Sequence, residues 1–275
     1  MPDKDSTLLH VICDYAPNGL EFAEIMSRIQ FHLADPHQVT IQQLATPPLD
    51  TIAVGFVTYQ LALAPVDGRM FIYGNAAPRR DQREAQENNV GSGLKYVRLK
   101  NGVEIMQVYS QYSLSFLKDE IVEFRDVASP AAGSQFRSRD YFPERVAKLI
   151  NGDREILTDE LNVSEIEEVP NNLVAWTDGF GNVKTTMRKS DLVKQGFKPG
   201  EKVQVILNGV SLVGVIADGG FTVERGVLAV NAGSSGYDDP FVELFLRVHH
   251  MTEKTAAMRF DYPAGGTPFE IRKLS

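Results

Sequence analysis

The chain is poor in cysteine: Cys13 is the only one in 275 residues. An intramolecular disulfide is therefore impossible, and thiolate metal clusters are excluded. Cys13 closes the apolar run Leu8 to Cys13. A buried structural thiol is the better reading of it, with a nucleophile as the alternative. The histidines are His10, His32, His37, His249 and His250, and none stands at an HExxH-type spacing with a carboxylate. No metal site is expected, and His249-His250 reads as strand surface. No run of about eighteen apolar residues occurs, so no membrane-spanning helix is expected. Positive charge is in deficit: 28 Lys and Arg against 36 Asp and Glu give a net charge of −8 and a pI near 5.2. That balance argues against a nucleic-acid surface, which needs a basic patch. The start, Met1-Pro2-Asp3-Lys4-Asp5, lacks the basic beginning and apolar middle of a signal peptide, so a cytoplasmic protein is expected. No internal repeat is visible.

What is present is an ordinary globular composition, 43 % hydrophobic and 23 % charged, with a mean hydropathy of −0.18. Such a chain can bury a core and suits one large or two ordinary domains. Leu8 to Cys13 reads as a buried strand ending at the breaker-rich turn Asp14-Tyr15-Ala16-Pro17-Asn18-Gly19. A helical pattern follows from about Leu20 to Leu33, with Phe22, Ile25, Met26 and Ile29 at helical spacing. Val39 to Leu44 reads as a strand, Thr51 to Leu63 as a helix and Arg69 to Tyr73 as a buried strand. Alternation of this kind predicts a parallel sheet with flanking helices, and ligands beyond the carboxyl ends of its strands, where Asp14 and Asn75 fall. Residues 79 to 92 form a polar, charge-dense loop, either a solvated excursion or a ligand lid. Leu94 to Leu99 and Val103 to Tyr109 read as strands joined at Asn101-Gly102. Phe142 to Ile150 reads as a helix with Asp140 placed to cap it, Pro143 in its first turn and Asn151-Gly152 at its end.

From about residue 154 short strands alternate with turns: Leu173 to Thr177, Asn182 to Met187, Lys202 to Leu207, Val210 to Ile216, Gly226 to Val230, Val242 to Val248 and Phe269 to Leu274. The expected architecture is an α/β N-terminal domain with a mainly parallel sheet, residues 1–153, and a smaller C-terminal all-β barrel domain, residues 154–275.

Two segments break the apolar periodicity, Gln135 to Pro143 and Trp176 to Thr186. Each places an aromatic residue beside carboxylate, amide or hydroxyl groups at a turn, which suits a flat, polar, sugar-bearing ligand.

On these segments the chain resembles the S-adenosylmethionine hydroxide adenosyltransferases and their fluorinase and chlorinase relatives. The resemblance rests on Asp14 after the first strand, on Phe136-Arg137-Ser138-Arg139-Asp140, on Asp178-Gly179-Phe180-Gly181-Asn182, and on Asn231 to Tyr237 with Ser234-Ser235-Gly236-Tyr237. It implies a ligand held between the N-domain of one subunit and the C-domain of its neighbour in a homotrimer. No cofactor is implied beyond S-adenosylmethionine itself, the substrate, and neither nucleic acid nor membrane is an expected partner.

The implied binding residues are Asp14 for the ribose diol, Phe136 and Phe180 for a purine or ribose face, Asp178 for the methionine ammonium, Asn182 for adenine or the amino acid, and Ser234 and Ser235 as donors in a Gly-rich turn. A carboxylate accepts two hydrogen bonds at once, which suits a vicinal diol. Each has a structural alternative: a turn acid for Asp14, plain core for the aromatics, a locally bonded turn for Asp178 and Asn182, and ordinary loop polarity for the serines.

The implied reaction attacks C5′ and expels methionine as a neutral thioether, giving adenosine when water is the nucleophile. The hydroxide-type members share an Asp, Arg and His trio, and this chain departs from it. Asn75-Ala76-Ala77-Pro78 stands in place of Asp-Pro-Gly-Val-Gly, and Arg137 takes the histidine position. Arg83 is the best-spaced arginine, with Arg79 and Arg80 as alternatives. Ser138 stands where the resemblance puts Ser in fluorinases and Gly in hydroxide- and chlorinase-type members, just ahead of a helix where an anion is favoured. The candidate catalytic residues are Asn75, Arg83 and Ser138. Three readings stand open: cleavage by water, a non-catalytic adenosine- or S-adenosylmethionine-binding module, and halide transfer to C5′.

Overall fold

The computed structural model describes residues 6–76, 92–130, 134, 136–248 and 254–274. The chain divides into two compact units, Met1–Glu168 and Val169–Ser275.

The first unit is built on a seven-stranded sheet in the order β2-β1-β3-β5-β4-β6-β7. Its strands are β1 (Thr7–Cys13), β2 (Val39–Ala45), β3 (Arg69–Asn75), β4 (Leu94–Leu99), β5 (Glu104–Val108), β6 (Ile121–Val127) and β7 (Leu157–Glu160). The pairings β1 with β2, β1 with β3 and β3 with β5 are parallel. Those of β4 with β5, β4 with β6 and β6 with β7 are antiparallel. The expected α/β domain with a mainly parallel sheet is therefore corrected to a mixed sheet in a mostly-β, two-unit fold. The cause is local. Helices carry the chain back between β1, β2 and β3, but the Asn101-Gly102 turn sends β4 straight into β5. A tight turn permits only antiparallel pairing. The first unit also runs beyond residue 153, because β7 joins its sheet.

Helices α1 (Leu20–His32) and α4 (Phe142–Ile150) cover one face of this sheet. Phe22, Ile25, Ile29, Val146 and Leu149 pack with Leu9, Val11, Phe71, Tyr73 and Tyr96 in one cluster. Burying each large side chain is worth about 1.5–3 kcal/mol. Helix α2 (Thr51–Ala62) is buried almost all round and is covered in turn by a 3-10 helix, Gln111–Glu120. The close approach requires Gly55, since a Cβ there would lie 2.6 Å from the Tyr112 carbonyl oxygen. Asp50 caps α2, accepting from the Ala53 amide at 2.8 Å.

Asp140 does not cap α4. Tyr141 is the N-cap residue, without a side-chain cap bond. The Asp140 carboxylate is instead held by Ser134 Oγ and by Arg139 Nε at 2.7 Å. At the other end Gly152 takes φ +92°, closing α4 after Asn151.

The second unit is also a seven-stranded mixed sheet, β14-β10-β11-β12-β13-β9-β8. It comprises β8 (Val174–Thr177), β9 (Val183–Arg188), β10 (Lys202–Leu207), β11 (Val210–Ala217), β12 (Leu228–Ala232), β13 (Phe241–Leu246) and β14 (Phe269–Lys273), with short helices α5 (Lys189–Lys194) and α6 (Ala256–Arg259). The expected all-β barrel is corrected to a curled half-barrel in which β11 and β12 pair in parallel. An isolated bridge links Leu173, just ahead of edge strand β8, to Pro268, just ahead of edge strand β14. Asn208 and Gly209, at φ +51° and +73°, turn β10 into β11 as a two-residue hairpin. Among the described residues no helix is long and apolar enough to cross a membrane.

Candidate functional site

In the first unit the candidate residues gather at the carboxyl ends of β1 and β3. Those ends lie side by side because Cys13 and Asn75 are register partners. The Asp14 amide donates to the Asn75 carbonyl at 3.1 Å, and the Asp14 carboxylate accepts from the Leu49 amide at 3.0 Å. Tyr15, which the sequence reading did not nominate, is the hub. Its hydroxyl lies 2.6 Å from Ser138 Oγ and accepts from Asn75 Nδ2 at 2.9 Å. Two candidate catalytic residues, Asn75 and Ser138, both buried, thus meet through one phenol. The third, Arg83, lies outside the described residues, as do Arg79, Arg80 and the His249-His250 pair.

The aromatic rings fix the phenol's position. Tyr15 packs edge-on against Phe22 and Phe136, with centroids 6.0 and 5.9 Å away. Phe136 is in turn covered by the Arg139 guanidinium, 4.9 Å above its ring. Phe136 is therefore half-buried packing around Tyr15, with one face given to Arg139. Ser138 sits within α3 (Arg137–Asp140), a single four-residue turn broken from α4 at Tyr141. It does not lie ahead of a long helix, so the expected helix-dipole help for an anion is missing. Arg137, where the resemblance puts histidine, is buried with its guanidinium 5.4 Å from the Phe142 ring centroid. It lines a cavity of about 560 Å³ together with Lys95, Asp126 and Ser129.

The electrostatics make this a donor site. Burial pushes the Tyr15 phenol up to about 12, so it stays protonated at neutral pH. Asn75 has no proton to exchange in that range. Asn75 donates to Tyr15, and the short contact between Tyr15 and Ser138 is a hydroxyl–hydroxyl hydrogen bond in which either oxygen can be the donor. Burial also pushes the Cys13 thiol up, which keeps it an inert thiol. Two buried hydroxyls near these strand ends, Thr46 Oγ1 and Tyr73 Oη, have no hydrogen-bond partner among the described residues. Such groups are rare in native interiors and ask for a ligand or water partner.

In the second unit, Asp178 to Asn182 forms a locally bonded turn. One Asp178 oxygen accepts from the Phe180 and Asn182 amides at 2.9 and 3.0 Å, and the other accepts from Asn182 Nδ2 at 2.9 Å. Gly181 is required by its φ of +76° and by Thr255, whose Cβ a new side chain would meet at 2.6 Å. The turn leaves Phe180 82 % exposed. Behind it Lys184 Nζ forms a buried ion pair with Glu243 at 2.6 Å and lies 3.7 Å from Asp178. Ser234 is exposed and Ser235 buried in the loop that precedes β13. Arg188 holds that loop, donating to the Asp239 carbonyl at 2.9 Å with its guanidinium 3.6 Å over the Phe241 ring. Both Tyr15 and the Lys184–Glu243 pair escaped the sequence reading. Tyr15 carried one usable signal, its place beside Asp14 in a breaker-rich turn at a strand end.

No protein-family model and no curated protein matches the chain. Its fold is shared with an uncharacterized conserved protein from Thermotoga maritima, at a TM-score of 0.71 and 17 % identity over 96 % of this chain and 100 % of that one. It is also similar to a conserved hypothetical protein from Thermus thermophilus, at a TM-score of 0.62 and 14 % identity over 97 % and 99 % of the two chains. At these identities the comparison establishes a common fold for the whole chain.

Proposed function

We propose that the protein binds S-adenosylmethionine through its adenosyl group at the Asp14, Tyr15, Asn75 and Ser138 cluster. The observation that carries this reading is the convergence of Asn75 and Ser138 on Tyr15 beside the Asp14 carboxylate. Asp14 offers acceptor capacity to the ribose diol. Ser138 offers a donor toward C5′, and Thr46 offers a buried hydroxyl in need of a partner. In the trimer that the resemblance implies, Asp178, Phe180, Asn182, Ser234 and Ser235 of a neighbouring copy complete the site, with the exposed ring of Phe180 free to stack.

Binding is better supported than cleavage. Attack by water needs a base to take its proton, and Asn75, Tyr15 and Ser138, the residues that converge here, are not bases at neutral pH. Titration calorimetry of the full chain with S-adenosylmethionine and with adenosine tests the reading. Saturable binding of both, lost in Asp14→Ala, is expected. A folded protein that binds neither, or an Asp14→Ala variant of unchanged affinity, refutes it. Chromatography of the same mixtures separates the reactions: adenosine extends the reading to hydrolysis, a 5′-halo nucleoside in added chloride or fluoride extends it to halide transfer, and intact ligand leaves a binding module.

A further inference from the structure

We propose that the second unit carries a separate site for a chain of linked phosphates. A cleft of about 360 Å³ opens where the end of β13, the turn before β12 and helix α6 come together, and Arg225, Arg247, Lys254 and Arg259 line it around Leu246. The topology gathers these cations. Leu228 and Leu246 are register partners, so residues just before β12 and just after β13 emerge at the same end of the sheet. The Gly226 amide donates to the Arg247 carbonyl at 3.1 Å and fastens the turn there. Lys254 and Arg259 arrive on either side of Thr255, which caps α6 by accepting from the Met258 amide at 3.3 Å.

Among the described residues the lining contains no carboxylate, and none of the four cations forms an ion pair. Among the described residues these four positive charges have no neutralising partner and repel each other, in a chain whose net charge is −8. An anion bound between them removes that repulsion. Arginine reads phosphate oxygens in pairs, and lysine adds a point charge. One phosphate is too little charge to engage four cations, whereas two or three linked phosphates suffice. The cleft lies at the small end of the range for small-molecule sites, about 300–1,000 Å³. That size, with the acidity of the whole chain, favours a small ligand over a nucleic-acid strand. The phosphates belong either to a bare polyphosphate or to a nucleotide. For the latter, Phe221 stands beside the cleft, 78 % exposed and with its ring centroid 5.9 Å from the Arg247 guanidinium, as a face on which a base can stack.

The test is titration calorimetry of the full chain with tripolyphosphate and with ATP at low and high salt. Saturable binding that weakens with salt is expected. Arg247→Ala and Lys254→Ala should each weaken it about tenfold. Lys202→Ala, which removes an exposed charge on β10 that is not among the residues lining the cleft, should leave it unchanged. All these side chains are exposed, so the variants retain the fold, which circular dichroism checks. Tighter binding of ATP, reduced to the tripolyphosphate level by Phe221→Ala, supports the site and makes its ligand a nucleotide. Equal affinities support it as a bare phosphate-chain site. Absence of saturable binding, or an equal loss in Lys202→Ala, overturns it.

Discussion

Replacing Lys184 by methionine should destabilise the second unit by about 3–5 kcal/mol, the usual cost of stranding one member of a buried ion pair. Lys184 and Glu243 are 8 % and 7 % exposed, and their charged atoms lie 2.6 Å apart. Methionine keeps most of the aliphatic stem, so the loss is charge rather than packing. It leaves the Glu243 carboxylate buried with the Asp178 carboxylate also deprived of the ammonium 3.7 Å away. The opposite change, Glu243→Gln, should cost less, about 1–3 kcal/mol, because Asp178 still faces Lys184 and the amide still accepts a hydrogen bond. The double variant Lys184→Met/Glu243→Leu should recover most of the stability, since an apolar pair of similar volume removes the buried charge altogether. Trp176 is the sole tryptophan and lies opposite Lys184 in the β8–β9 register, so its fluorescence during urea unfolding reports on this unit. With an m-value of about 1–3 kcal/mol/M, the Lys184→Met midpoint should fall by at least about 1 M. An unchanged midpoint would refute the reasoning. A double variant no more stable than the single one would show that packing, not an uncompensated charge, sets the cost.

Gly55→Ala should also destabilise, although alanine is the better helix former by about 1 kcal/mol. The new methyl would press on the Tyr112 carbonyl, and overpacking of this kind costs about 1–3 kcal/mol; a melting temperature at or above wild type would contradict this. His10 is buried in β1, and burial lowers its pKa from 6.5. The unfolded chain therefore takes up the proton first as pH falls. The stability linked to His10 is complete above about pH 6.5 and is lost as pH drops through the lower folded-state pKa. Thermal melts between pH 8 and 5 should show this decline in wild type and a flatter one in His10→Leu; parallel curves would argue against it.

Most elements were legible because their signals are local. The apolar spacing of Phe22, Ile25 and Ile29 marks α1, and Asn101-Gly102 and Asn208-Gly209 mark two hairpins. The 3-10 helix Gln111–Glu120 was not legible, since a tight helix leaves no 3.6-residue period, and β6 and β7 also went unread. Asp140 looked like a helix cap, but the break at Tyr141 separates it from α4. Asp178 and Asn182 suit either a turn or a ligand role by residue type, and the structure supplies the bonds of the turn.

The sequence by itself determined the approximate place of the main helices, the two Asn-Gly hairpins, and which polar residues stand at strand ends. Those properties depend on neighbours within a few positions. Tertiary structure alone decided the order and direction of the strands in both sheets. It also decided that Tyr15 meets Ser138 across 123 positions, that Lys184 is neutralised by Glu243 across 59, and that four scattered cations share one cleft. The physical reason is that strand pairing and side-chain convergence are set by which apolar faces can be buried together. That choice is made over the whole chain, and no local pattern records it.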